Sequence, residues 1–543
     1  MKHSYCKKWV PLLTALALTG CIDDNYDLDD IDTTSQIKVN NLVVPVNLDT
    51  IELDQVLDID EDDTDGIITK FTDASGKTFY AISKGDSFNP DPVYIDMFSA
   101  EAPMIPEISL LSPDSQKEMP RRIGNFTTNF RYSVDKVDKA INSINSINLA
   151  TPMEITLEIT SDVKDLYIDN LIILLTEDFE ILYEGLPSPA GMIDVGRIYA
   201  NQPVSKISVT AIKTDNGKVD HTSTPNFMFE GYIGVASGEI VSPSNQEINN
   251  LNIKFTLGNI TANKIAGNIS YNLDIPEIPS VDLSNLPDFL TEGSSDLILA
   301  NPQLYITFNN PIGVSCRSSL SIQPVREEMI SNDYATDFSL NVSSPGEYTM
   351  LLAPDEQKAN LPYFQFTRFN DLANVLSGTG VPQSLNISLD NSLLYGDCEV
   401  ELGKDIPFYG DYRFFAPLAL SPKGFIHYVK TQSDWFSKDI DTMDIDLLKL
   451  TANASSTLPV DVELFVYPLK KDGTPAGNPA HTLLKAETAN QNFFVELSGV
   501  KNLDGVRFEA LVTTQSEEYL TPQQTIKLEN IRATVSGRYI TDF

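Results

Sequence analysis

Basic and histidine side chains are scarce in this 543-residue chain, and each scarcity removes a class of chemistry. The 38 lysines and arginines stand against 76 aspartates and glutamates, a formal net charge of −38. Binding to a phosphate backbone rests on Lys and Arg neutralisation, so nucleic acid is excluded as a partner. Of the four histidines, His221, His427 and His481 are scattered along the body of the chain. No H-E-x-x-H zinc motif, G-x-S-x-G nucleophile elbow or glycine-rich phosphate loop occurs. Two carboxyl groups about 5 to 9.5 Å apart would suffice for a glycosidase, but 76 acids supply candidate pairs without selecting one. The chain therefore reads as non-catalytic. No apolar run reaches the roughly 20 residues that a membrane-spanning helix needs.

What is present begins at the amino end. Lys2, Lys7 and Lys8 precede the apolar run Trp9 to Leu18, and the small pair Thr19 and Gly20 precedes Cys21. This is a secretory signal layout. The "LTGC" of Leu18 to Cys21 resembles a bacterial lipobox, which implies removal of residues 1–20 and acylation of Cys21. Two or three acyl chains at about 0.8 kcal/mol per buried CH₂ would make a permanent anchor. Asp23, Asp24, Asp27, Asp29, Asp30 and Asp32 follow at once. Such carboxylates repel one another and cannot be buried, so residues 21–35 read as a solvated tether. The acidic stretch resembles the export signal of Bacteroidota lipoproteins, and "YDLDDIDTT", Tyr26 to Thr34, resembles the start of outer-membrane surface lipoproteins of that phylum. That resemblance implies the outer-membrane lipid as a partner through Cys21 and display outside the cell. The alternative is a plain linker facing the periplasm.

Beyond the tether, strand signals dominate. Met153 to Ile159, Ser205 to Ile212, Leu251 to Gly258, Gln303 to Phe308 and Val460 to Tyr467 alternate apolar with polar residues, the pattern of strands with one buried face. The expected fold is all-β: tandem antiparallel sandwiches, immunoglobulin-like or LEA-like, with very few helices. One helix is expected, over Phe369 to Gly378, with Asn370 as its cap and Leu372, Val375 and Leu376 on one face. The run Val134 to Leu149 is ambiguous, since Val134, Val137, Ile141 and Ile144 fit a helical spacing. Pro152, Pro311 and Pro459 each precede an alternating strand, a faint repeat suggesting one sandwich type used three times. The Asn310-Pro311 strand resembles those of LEA-like sandwiches. The expected partition is an N-terminal β domain over 36–130, sandwiches over 131–275, 288–433 and 445–543, and linkers at Asp274 to Pro287 and Asp434 to Asp444.

Few candidate sites emerge. Glu61, Asp63 and Asp65, followed by Gly66 and Ile68, imitate a calcium loop, although its twelfth position holds Thr72 instead of a bidentate glutamate. A solvated acidic hairpin loop is the alternative, so the expected cofactor is none, or Ca²⁺ at this loop. Cys316 and Cys398 each lie on the apolar side of a strand, which allows either two buried thiols or one disulfide. Trp435, in a polar stretch, is the candidate ligand contact, because sugar rings stack on exposed aromatics. The overall expectation is a non-catalytic binding or scaffold module, partnered by an outer-membrane protein complex or a neutral glycan. The alternatives are a fimbrial component assembled by strand exchange and a glycan-binding or glycan-degrading lipoprotein of a polysaccharide-uptake system.

Overall fold

A computed structural model describes residues 34–45, 51–52, 66–111, 121–189, 191–243, 246–287, 290, 295–326, 333–378, 380–432, 443–501, 503 and 505–542. The chain is all-β, and the alternation seen in sequence is the reason. In the strand Leu251–Leu257, Leu251, Ile253, Phe255 and Leu257 are buried while Lys254 and Thr256 face water. The helix expected after Phe369 is a five-residue 3₁₀ turn, Asn370–Asn374. Phe369, not Asn370, occupies the cap position and makes no side-chain cap bond. Leu372, Val375 and Leu376 are buried as their spacing suggested. The turn stops by Gly378, at φ +116°, whose N–H donates to Asp296 at 2.9 Å.

The strands build three sandwiches. In the first, one half of a twelve-stranded sheet runs in the order Leu186–Ser188, Phe179–Tyr183, Val204–Lys218, Ile141–Ser161, Ile260–Asn272. It packs on a five-stranded sheet ordered Met192–Tyr199, Tyr167–Leu175, Phe227–Val241, with Arg121–Ile123 and Phe126–Val134 also paired to the last of these. The rings of Phe130 and Phe179 stack between the two sheets, and the Tyr132 hydroxyl donates across the core to the Gly258 carbonyl at 2.7 Å. In the second, the other half of the large sheet, Ser384–Glu401, Ser315–Val325 and Tyr334–Leu340, belongs with a six-stranded sheet. That sheet is ordered Gln365–Arg368, Gly346–Ala353, Gln303–Asn310, Tyr409–Pro417, Thr78–Phe88, Ile68–Thr72. The third, C-terminal sandwich has one sheet ordered Thr34–Pro45, Thr525–Asp542, Met443–Ser456, Gln491–Val500 and another ordered Phe425–Gln432, Gly505–Thr513, Asp461–Leu469, Ala480–Leu484.

Strand pairing crosses the boundaries expected from sequence. Among the described residues, the strands of 36–130 are shared out between the sandwiches. Thr34–Pro45 joins the C-terminal sandwich, Ile68–Thr72 and Thr78–Phe88 join the second, and Phe126–Val134 joins the first. Short runs of strands cannot close a core alone, so each is spent on an edge that longer strands leave open. The supposed linker Asp274 to Pro287 is packed: Ile278, Val281, Leu283 and Leu286 are buried, and Val281–Asp282 pairs with Ser384 and Leu385. Its prolines donate nothing, but the Pro279 carbonyl accepts from the Tyr412 hydroxyl at 2.8 Å. The three prolines of the apparent repeat also sit differently. Pro152 lies at a register break inside one long strand, whereas Pro311 and Pro459 lie between strands.

The first two sandwiches are joined by a seam in which Ile260–Asn272 pairs with Ser384–Glu401, from Lys264 opposite Glu401 to Asn272 opposite Leu393. On the other side of that strand, the register against Ile141–Ser161 slips between Ala266 and Gly267 and again between Asn268 and Ile269. Each slip adds one residue to Ile141–Ser161. Ile141, Ile144 and Ile147, three apart, consequently all point inward, each fully buried at 0% exposure. The helix-like spacing is thus the signature of two β-bulges.

The C-terminal sandwich meets the second at the start of Phe425–Gln432, where Phe425 and Asp296 exchange main-chain bonds, and at the loop that carries Glu517 to Leu520. The Tyr519 ring packs on Phe79 at 5.1 Å, with the Lys77 ammonium 4.4 Å above it. The main chain of Leu520 bridges Leu418 and Tyr80 at 2.8 and 3.0 Å. Lys358 and Glu517 close the contact at 2.6 Å.

Two outcomes follow for stability. A Cβ at Gly267 would stand 2.1 Å from the Ser143 carbonyl oxygen, so Gly267→Ala should cost about 1–3 kcal/mol, read as a lower urea midpoint. Tyr519→Ala should remove about 2–3 kcal/mol of docking and split a single calorimetric transition into two, with the C-terminal sandwich melting first.

Candidate functional site

Most residues that the sequence singled out lie outside the described residues: Cys21, Asp23, Asp24, Asp27, Asp29, Asp30, Glu61, Asp63, Asp65 and Trp435. Trp435 falls in the segment joining Gln432 to Met443. The second half of the expected calcium loop is described, and it is a strand: Ile68–Thr72 pairs with Thr78–Ile82, and Thr72 shares a 2.9 Å hydroxyl bond with Thr78. Among the described residues no group of three or more His, Cys, Asp or Glu is placed to hold a metal.

Cys316 and Cys398 are both free thiols, which decides against the disulfide. Cys316 stands opposite Leu394, four residues along the same strand from Cys398. Four residues of strand span roughly 13 Å, whereas bridged cysteines need Cα atoms within about 7 Å. Cys316 is buried and Cys398 half-buried, both against the core. Burial pushes each thiol up to about 12, with Asp397 and Glu399 adding to the effect at Cys398. Thiols held protonated in this way are poor nucleophiles and poor ligands.

A surface cluster that the sequence reading missed lies on the outer face of the first sandwich. Tyr167 and Tyr199 are register partners on neighbouring strands, their ring centroids 5.5 Å apart and tilted by 53°. The Arg197 guanidinium lies 4.3 Å above the Tyr167 ring and binds Asp169 through both carboxylate oxygens at 3.0 and 3.3 Å. The hydrogen bond from Arg197 lowers the Asp169 carboxyl, and the same bond raises the guanidinium. Gly196, at φ +74°, occupies the register break beside them. Tyr199 is 46% exposed and Tyr167 partly so. The guanidinium therefore covers the Tyr167 ring, and Tyr199 is the open ring of this platform, held on a rigid sheet beside a fixed ion pair whose charged groups can meet a ligand's polar groups. "LYIDN" and "GRIY" carry no motif. Only the register makes them neighbours.

A second polar group is internal. Gln303 is fully buried and takes the Tyr305 hydroxyl at 2.5 Å, while its amide donates to Asn360 at 2.6 Å and to the Lys358 carbonyl at 2.9 Å. Buried Asn301 accepts from the Asp355 N–H at 3.0 Å. These bonds clamp the 355–361 segment, the same segment that presents Lys358 to Glu517. The hydroxyl of Ser295 bonds the main chain of His427, whose Nε2 lies 3.7 Å from Glu509. In a nucleophilic triad the serine would instead bond the imidazole.

No protein-family model matches the chain, and no curated protein matches it. Among solved structures it is similar to a protein described as secreted from Parabacteroides distasonis ATCC 8503. The two share 19% identity at a TM-score of 0.36, over 50% of this chain and 83% of that one. A likeness of this size carries no argument about activity, and the function rests on the chain's own residues.

Proposed function

We propose that this chain is a lipid-anchored protein of the outer-membrane surface whose sandwiches serve as a non-catalytic binding or scaffold module. The observation that carries the reading is the run from Leu18 to Asp32: an apolar segment, a lipobox-like "LTGC", then six aspartates. An acylated Cys21 supplies the anchor, and the aspartates supply a solvated spacer of the kind that surface export reads. The tether leads straight into Thr34–Pro45, a strand paired along its length with Thr525–Asp542. A lipid anchor so connected holds a folded body rather than a loose chain.

For the ligand, the tyrosine platform favours a neutral glycan. A chain of formal net charge −38 repels acidic polymers, and an exposed aromatic ring rewards uncharged sugars. The fimbrial reading gains no such support. Its candidate donor segment, Glu529 to Ile540, is part of Thr525–Asp542, which lies within its own sheet between Met443–Ser456 and Thr34–Pro45.

Cys21→Ser should abolish metabolic incorporation of palmitate and move the protein from the membrane pellet to the soluble fraction. The parent protein should be cleaved by protease added to intact cells. Palmitate labelling that persists in the variant refutes the anchor, and protease resistance until the outer membrane is broken refutes surface display.

A further inference from the structure

Strand directions in the C-terminal sandwich give it two unlike ends. One end carries Phe425, Asp461, Thr513 and Thr525. Contacts with the other sandwiches gather there: Phe425 bridges to Asp296, Ser295 bonds the His427 main chain, Ala419 pairs with Tyr519, and Lys358 holds Glu517. The opposite end carries Gln432, Met443, Leu469, Val500 and Asp542. Thr34, the first residue of the N-terminal strand, pairs with Asp542 at that opposite end. The N-terminal strand then climbs to Pro45, Ile51–Glu52 pairs with Thr525 and Ile526, and the chain passes on to Ile68–Thr72 of the second sandwich.

We infer that the C-terminal sandwich is the membrane-facing base of the protein, with the end that bears Thr34, the Leu469–Pro475 turn and Asp542 turned toward the bilayer surface. The first two sandwiches are then carried outward on it. The inference rests on Cys21 being the lipidated residue. Thirteen residue steps separate Cys21 from Thr34, so Thr34 lies within about 45 Å of the lipid surface even at full extension. The twelve-residue strand Thr34–Pro45 rises about 40 Å further, and the rest of the body joins only beyond that height. The turn at the free end presents Lys471, exposed, and the neighbouring Lys470. These are cations suited to lipid phosphates in a chain otherwise rich in acids. An order read from the sequence alone would place the N-terminal modules next to the anchor and the C-terminal one farthest out. The pairing of the two chain ends inverts it.

The test uses full-length lipidated protein, reconstituted in phosphatidylethanolamine and phosphatidylglycerol vesicles that carry a headgroup energy-transfer acceptor. Donor dye is placed on Lys471→Cys or, in a second preparation, on Met104→Cys, both in a Cys316→Ala, Cys398→Ala background whose fold is checked by circular dichroism. Met104 is 97% exposed and belongs to the segment that meets the first sandwich at Asn259. Transfer from position 471 should exceed that from position 104 several-fold. Equal or reversed transfer, with the protein still floating with the vesicles, overturns the orientation. Failure of the protein to float at all overturns the lipid anchor instead, so the two ideas fail separately.

Discussion

Backbone hydrogen bonds between Ile260–Asn272 and Ser384–Glu401 are the constraint on which most of the body depends. They join the first two sandwiches into one twelve-stranded sheet, so neither can rotate against the other without breaking a ladder. The side chains reinforce the seam only modestly. Lys264 with Glu399 and Asn268 with Asp397 are solvent-exposed pairs, and exposed ion pairs contribute little. What makes the seam rigid is its continuity with the cores on both sides: Ile265 and Ile269 on one strand and Leu394 and Val400 on the other are buried at or near 0% exposure. A sheet shared by two sandwiches also sets where surface clusters can stand, because it fixes every outer face relative to the seam.

Fold class was legible because its signal is local. Alternation in Leu251–Leu257 or Met153–Ile159 needs no knowledge of partners, and the structure places those strands where the pattern said. Domain boundaries were not legible, because they depend on pairing across long separations. Nothing in Thr34–Pro45 states that its partner is Thr525–Asp542, and nothing in Thr78–Phe88 names Tyr409–Pro417. Proline content misled at Asp274 to Pro287, where residues that cannot donate still pack side chains and offer carbonyls. Spacing misled at Ile141, Ile144 and Ile147, where two bulges turn a strand's period of two into three.

The same contrast holds for function. The lipobox-like run and the acids behind it are contiguous, so that reading uses neighbouring residues alone. The tyrosine platform is assembled from Tyr167, Asp169, Arg197 and Tyr199 on two strands, and each half is an ordinary strand fragment by itself. Cys316 and Cys398 were correctly placed facing the core, yet their separation along neighbouring strands, not their orientation, determines that they remain apart.

The first described strand closes on the last described one. Asn41, at the bulge of Thr34–Pro45, donates its N–H to Ser536, a residue 495 positions later. During synthesis, amino end first, this strand therefore waits unpaired until Thr525–Asp542 has been made. Lys38 within it and Pro45 at its end are residues that discourage pairing with the wrong edge in the interval. A chain cut short anywhere before Thr525 would leave that edge permanently open. The clasp thus makes concealment of Thr34–Pro45 conditional on synthesis of Thr525–Asp542, however much of the chain between them has already folded.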